Sequence, residues 1–266
     1  MLVSRSTTRC ADGVAVAARR NRQWRARAAL ACVVTLLISR PAPGAECGVE
    51  RGVILHGLRN RNLVALTFDA CPTSHSPGFS PEIADRLQEA SVPATFFVSG
   101  RWAEAHPHDL ERLASNPLFE IALHGYRHRH LQGASSDAIF REIEDGRSAL
   151  LHLGVDPVAL LRPPYGEHPA ALAEAARRAG VLPVLWDVAP GDPDPHETEA
   201  ALERDVFRSV RGGSIIVLHV NGRGVATAAA LPALLRSLPE RGFHFAKVSD
   251  LIRPCTASAA RTADAR

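Results

Sequence analysis

The chain has 266 residues, 46% hydrophobic and 22% charged, a composition that excludes wholesale disorder, collagen-like repeats and a disulfide-knotted miniprotein. Its formal charge of +3 is unevenly placed. Residues 1–45 hold eight Arg and one Asp, so the remainder is net negative and has no basic excess for gripping nucleic acid.

The first element is a targeting segment. Arg19, Arg20, Arg22, Arg25 and Arg27 form a charged region, Ala28–Ile38 is an uncharged, mostly apolar run, and Ala42-Pro43-Gly44-Ala45 supplies small residues for cleavage. That layout reads as a secretory signal peptide over 1–45. The apolar run is shorter than the ~20 residues that span a bilayer, so no stable membrane insertion is expected after cleavage. The protein is expected to be exported to the periplasm, the cell envelope or the medium. Cys47, Cys71 and Cys255 then remain. Cys47 and Cys255 flank a domain over 46–255, and domain termini often lie close together. They are expected to pair, which export permits, and to leave Cys71 a free thiol. Residues 256–266 are expected to form a flexible tail.

Within the body, Leu63–Phe68 reads as a strand. Ser80-Pro81-Glu82 has the pattern of a helix start, with Ile83 and Leu87 following at helical spacing. Val92–Val98 and Phe119–Leu123 are strands, and Ser136–Leu153 is a helix ended by Gly154. Val158–Leu161, Val181–Leu185, Ser214–Leu218 and Phe243–Val248 are further strands. Helical segments are expected over Pro169–Ala179, Thr198–Val210 and Val225–Leu238. About seven strands alternating with helices imply a parallel sheet. A closed (β/α) barrel with fewer than eight units is the expected fold, and a doubly wound open sheet is the alternative. In either, reactive residues belong at the C-terminal ends of strands.

Polar residues cluster at those ends. The first strand closes on Thr67-Phe68-Asp69 and the third on His124-Gly125-Tyr126-Arg127-His128. The fourth closes on Arg162-Pro163-Pro164-Tyr165-Gly166, the fifth leads to Trp186-Asp187 and Asp192, and the sixth ends at His219. His124 and His128 are four apart, which in a helical turn puts both rings on one face. They read as ligands of one metal ion or as a chance pair of surface imidazoles. Asp69 reads as a general base or a loop carboxylate, and His219 as a general acid or a core His bonded to backbone. Arg162 is stiffened by the prolines after it; it suits orienting a carboxylate or forms a weak surface ion pair.

In this order and spacing, Thr67-Phe68-Asp69, His124-x-x-x-His128, Arg162-Pro163-Pro164-Tyr165, Asp192 and Leu218-His219 resemble the five motifs of the polysaccharide deacetylases, the nodulation-protein-B-like domain of carbohydrate esterase family 4. The resemblance covers roughly residues 50–253. It implies an α/β fold, a distorted (β/α)7 barrel of the polysaccharide deacetylase type. It also implies a metal-dependent hydrolase, most simply with Zn2+, that removes acetyl groups from a glycan such as peptidoglycan, a chitooligosaccharide or an exopolysaccharide. Asp69 then corresponds to the catalytic base, Arg162 to the residue that orients it, His219 to the acid and Asp192 to the aspartate that tunes the acid. Tyr165, with Pro164 and Trp186, falls on the substrate and oxyanion side, and His124 and His128 are metal ligands.

Three positions depart from the family pattern. Ala70 stands where the family has a second, metal-binding Asp, and a methyl group cannot ligate. Cys71 or His75 in the same loop is the candidate substitute, and water could also fill the position. Pro193 stands where Trp usually follows the aspartate, which makes Asp187 a rival of Asp192. Val220 stands where Asp commonly follows the His. Two further readings compete with the deacetylase: a glycan-binding relative without catalysis, and an amidase acting on small C–N compounds in the same fold. The protein is expected to act as a monomer on an acetylated glycan.

Overall fold

The computed structural model describes residues 46–73 and 78–263, with side chains described to Thr256. The expected leader over 1–45 and His75 lie outside the described residues.

The described chain opens with a hairpin, β1 (Gly48–Glu50) and β2 (Val53–His56), paired antiparallel. Its turn has Arg51 at φ 48° and Gly52 at φ 81°, two left-handed residues that match the twist of the strands they join. Seven strands then form a parallel sheet: β3 (Leu63–Ala70), β4 (Ala94–Val98), β5 (Phe119–Leu123), β6 (Val158–Leu161), β7 (Leu182–Pro183), β8 (Ile215–His219) and β9 (His244–Phe245). Their order is β7-β6-β5-β4-β3-β8, with β9 beside the start of β3. The crossovers are α1 (Pro81–Glu89), α2 (Gly100–Ala105) with α3 (Pro107–Ala114), α4 (Ser136–His152), α5 (Ala170–Ala179), α6 (Glu199–Ser209) and α7 (Thr227–Glu240). The sheet curls: single parallel bridges join Ile54 to Val184 and Val188 to Ile216. The irregular segment after β7 thereby reaches β8 and makes a distorted barrel.

Strand alternation sorts the core into two sides. Leu66, Phe68 and Ala70 of β3 belong to the larger apolar cluster, together with Ile83 and Leu87 of α1 and Leu231 of α7. Ala65 of β3 belongs to a second cluster with Phe97, Ala122, Val184 and Ile215, closed by Val248, Leu251 and Ile252 of the last helix, α8 (Val248–Ala263). Each fully buried Leu, Ile or Phe contributes roughly 1.5–3 kcal/mol. Thr67 and Asp69 share the parity of Ala65, so β3 sends polar groups to the inner side only near its C-terminal end. A disulfide between Cys47 and Cys255 ties α8 to β1, and Cys71 is a free thiol, both as expected.

Several expectations are corrected. The hairpin β1–β2 and the helices α2 and α3 were not anticipated. The strand expected over Val181–Leu185 has only two regular residues; Pro183 has no N–H to donate, and the chain continues as isolated bridges. The strand expected over Phe243–Val248 is reduced to His244–Phe245, because Val248 already begins α8. Helix α8 runs through Cys255 to Ala263 where a tail was expected. Ser80 occupies the N-cap of α1 without a side-chain capping bond. In contrast, Ser135 and Thr198 cap α4 and α6 by accepting from Ala138 and Ala201 N–H. No helix among the described residues is long and apolar enough to cross a membrane.

Candidate active site

The C-terminal ends of β3, β5, β6 and β8 surround one cavity of about 280 Å³, lined among others by Asp69, Cys71, His124, His128, Trp186 and His219. Asp69 and His219 are in register on the adjacent parallel strands β3 and β8. Neighbouring strands are about 4.8 Å apart, so these two residues reach the barrel mouth at one level and on one face.

Arg162 follows β6 and is fully buried. Its Nη1 donates to Asp69 Oδ1 at 2.7 Å and to Thr67 Oγ1 at 2.8 Å, and Nη2 donates to the Leu185 carbonyl at 3.2 Å. Its Nε has no hydrogen-bond partner among the described residues, but the guanidinium lies over the Phe97 ring at 4.0 Å, where the π face attracts the cation. Burial pushes the Asp69 carboxyl up, yet the Arg162 guanidinium, by its charge and its hydrogen bond, together with His219 outweighs it and holds Asp69 below its ordinary pKa. The surface ion-pair reading of Arg162 is thereby excluded.

His124 is also buried, and its Nδ1 lies 2.7 Å from the Arg162 carbonyl. Bonding there makes Nδ1 the protonated nitrogen and leaves Nε2 with a free lone pair toward the cavity. Nε2 approaches Asp69 Oδ2 at 3.7 Å, but burial keeps the imidazole neutral by lowering its pKa, so this approach is not an ion pair. His128 is held neutral as well, burial lowering its pKa to about 3. The two rings are 4.7 Å apart. They do not meet on a helical turn as expected. The chain between them is a loop in which Gly125 (φ 72°) and His128 (φ 58°) both take the left-handed conformation. A Cβ at Gly125 would also crowd the Glu142 carboxylate, which accepts from Tyr126 and Arg127 N–H and fixes the loop. Ligand atoms of Cys71, His124 and His128 all lie within 4.8 Å of one another. Two neutral imidazoles and a thiol are donors suited to a borderline-soft cation such as Zn2+, so the residues present fit a metal of that kind.

On the facing side, His219 Nδ1 lies 3.0 Å from Asp192 Oδ1. Asp192 Oδ2 accepts from His219 N–H at 2.6 Å and from Thr227 Oγ1 at 2.8 Å. Burial opposes protonation of His219, but the hydrogen bond and charge of Asp192, with Asp69 beyond, raise its pKa above the ordinary value. Asp187, the rival of Asp192, is engaged elsewhere: it pairs with Arg59 at 2.8 Å and accepts from Ser214 and from Ile215 N–H. Trp186 lines the cavity as expected. Tyr165 stands at the lip in a strained left-handed conformation (φ 58°), half exposed, with its ring against His128 and stacked on His130. Pro164 is buried at the start of a 3₁₀ turn, between Pro163 and Tyr165, which line the cavity.

Sequence reasoning missed Thr67 as a partner of Arg162, Thr227 as a partner of Asp192, and Arg223 on the cavity rim. Thr67 was legible in principle, since it lies two residues before Asp69 on a strand and therefore on the same face.

The polysaccharide deacetylase family model matches residues 56–184. A chitooligosaccharide deacetylase of Sinorhizobium fredii is 34% identical over 193 residues, covering 68% of this chain and 87% of the relative. A peptidoglycan-N-acetylglucosamine deacetylase of Bacillus cereus is 29% identical over 199 residues, 73% of this chain and 90% of that protein. Among solved structures, a family 4 pseudoenzyme from Bacillus anthracis superposes with a TM-score of 0.69 at 22% identity, over 77% of this chain and 70% of its own, and shows the shared fold. The ordered strand-end residues, the barrel and these relatives lead to one assignment: the chain belongs to the polysaccharide deacetylase family, hydrolases of carbon–nitrogen bonds other than peptide bonds.

Proposed function

We propose that this protein is an exported, metal-dependent deacetylase that hydrolyses acetyl groups on a glycan of the cell envelope. The observation that carries the reading is the paired placement of Asp69 and His219, adjacent on β3 and β8, with one pKa lowered and the other raised. A carboxylate and an imidazolium facing one cavity are a matched base and acid.

His124 and His128 would hold a divalent cation, which when bound supplies Lewis acidity toward an acyl oxygen and lowers the pKa of water. Asp69, held at Oδ1 by Arg162, keeps Oδ2 available to take the proton of the attacking water. His219, bonded through Nδ1 to Asp192, presents Nε2 to the cavity and delivers a proton to the leaving amine. The family resemblance makes the Tyr165 N–H the donor to the acyl oxygen as negative charge develops there, and Tyr165 lines the cavity; such a donor contributes about 3 kcal/mol. Trp186, Pro193 and Val217 make an apolar wall suited to an acetyl methyl group.

Export is supported by the layout of residues 1–45 and by the Cys47–Cys255 disulfide, a bond that oxidising compartments favour. The names of the relatives support an acetylated glycan as substrate. The experiment is acetate release from acetylated chitooligosaccharides, peptidoglycan and acetylated xylan by the purified protein supplied with Zn2+. Wild type is expected to release acetate from at least one of them, and Asp69→Asn to be reduced on the order of 10²–10⁴-fold. Saturable glycan binding with no acetate released, and no difference between wild type and Asp69→Asn, would replace this reading with that of a non-catalytic relative, which Ala70 favours. Release from small amides alone would favour the amidase.

A further inference from the structure

We propose that Cys71 is the third protein ligand of the metal, so that the site is a thiolate–imidazole–imidazole set with Ala70 as a bystander. The inference deepens the hydrolytic reading and rests on it for what the metal does, but the metal binding is testable separately.

Strand parity is the first support. Thr67 and Asp69 face the inner side of the barrel, where both meet Arg162. Ala70 is buried with Phe68 and Val98 in the cluster on the other side. Cys71, two residues beyond Asp69, returns to the inner side and lines the cavity. Buried free Cys residues usually serve as small apolar side chains. Cys71 is only 2% exposed, yet it lines the cavity with its Sγ beside an imidazole nitrogen.

Geometry is the second. Cys71 Sγ lies 3.5 Å from His124 Nε2. Zinc–sulfur and zinc–nitrogen bonds of about 2.3 and 2.0–2.1 Å, set at a tetrahedral angle, put S and N about 3.5 Å apart. The two atoms already stand at the separation of two ligands sharing one ion. Three protein ligands with a fourth position left open is the arrangement of catalytic zinc sites.

Fixation is the third. The Cys71 carbonyl accepts from Asn221 Nδ2 at 2.9 Å, and the Ala70 carbonyl accepts from Ser99 Oγ at 3.0 Å. His124 is oriented by the Arg162 carbonyl, the kind of outer support that metal-binding imidazoles have. The end of β3 is therefore held in place before any ion arrives. A thiolate ligand selects thiophilic cations (Zn2+, Co2+, Cd2+) over Mg2+ and Ca2+. The thiol must lose its proton when the ion binds, so one proton leaves per ion bound at that position.

The test uses the purified full-length protein stripped of metal and titrated with Co2+. Wild type is expected to bind one Co2+ with a sulfur-to-cobalt charge-transfer absorption in the near ultraviolet. Cys71→Ser and Cys71→Ala, each first shown by circular dichroism and melting to be folded without metal, are expected to lack that absorption. They should also bind Co2+ and Zn2+ more than about tenfold more weakly. Zn2+ binding at constant pH should release one proton fewer from Cys71→Ser than from wild type. The proposal is overturned if wild type binds Co2+ without the sulfur absorption, or if the Cys71 variants bind as wild type does. It is equally overturned if His75→Ala, and not Cys71→Ser, abolishes binding. Acetate release is read in parallel. A sulfur–cobalt band without any acetate release sinks the hydrolytic reading and leaves the metal site standing. Acetate release with binding unchanged in Cys71→Ser does the opposite.

Discussion

Arg162 holds Asp69 by a single oxygen: Nη1 donates to Oδ1 at 2.7 Å, while Oδ2 faces the cavity, 3.7 Å from His124 Nε2. One carboxylate is thus divided between a structural contact and a free basic oxygen. The same Arg162 orients His124 through its backbone carbonyl, so one residue after β6 fixes both the Asp69 carboxylate and the His124 imidazole.

Removing Arg162 should therefore cost stability as well as activity. Arg162→Met leaves Asp69 buried beside Thr67 without its partner, and breaking a buried pair from one side costs roughly 3–5 kcal/mol. Urea unfolding should show that loss. Arg162→Met/Asp69→Asn should recover part of it while remaining inactive. A single Arg162→Met variant as stable as wild type would contradict the pairing.

The pH profile of acetate release should be set on its alkaline side by His219. Burial works against its protonation, but Asp192 more than compensates, so the acid form persists above the ordinary imidazole range and is lost as pH rises through the raised pKa. Asp69, held below its ordinary pKa, is already ionised throughout that range. Asp192→Asn removes the compensating charge, and the alkaline limb should move to lower pH with the acidic limb unmoved. His219→Ala should lower kcat on the order of 10²–10⁴-fold at every pH. Rate–pH curves for the three proteins check this, and an unmoved alkaline limb in Asp192→Asn would count against His219 as the acid.

Metal should stabilise the folded chain by mass action. At a free Zn2+ concentration of 100 times Kd the gain is about 2.7 kcal/mol, provided the unfolded chain does not bind the ion. Thermal melts with and without a chelator should show a lower Tm in the stripped protein. His124→Ala should melt at one temperature in both conditions.

The Cys47–Cys255 bridge closes a loop with a sequence separation of 208. Removing a native disulfide of this kind typically costs about 2–5 kcal/mol. Cys47→Ser/Cys255→Ser should unfold at lower denaturant by that margin, with acetate release per folded molecule unchanged, because both cysteines sit outside the cavity. Loss of activity in the folded double variant would tie the bridge to the site.

Much of this was legible in the chain. Apolar runs bounded by Gly and Pro located β3 to β6 and β8, because strands of a parallel sheet are buried on both faces and must be apolar. The cluster of Asp69, His124, Arg162 and His219 at their C-terminal ends followed from the general rule for such sheets. The short elements were not legible. β7 and β9 have two regular residues each, too few for any period, and their pairing is decided by neighbours distant in sequence. The choice between Asp187 and Asp192 was also closed to sequence. Both follow β7 within a few residues, and only the folded chain sends one to Arg59 and the other to His219.

The sequence by itself determined the parity of β3, the order of the polar residues along the chain and the absence of a carboxylate at position 70, because these are properties of neighbours along one backbone. Only the tertiary structure decided that Cys71 Sγ stands 3.5 Å from His124 Nε2 and that Arg162 spans to Asp69. Those distances join segments separated by 53 and 93 residues, and they are set by the side-by-side order of the strands in the sheet rather than by any local preference.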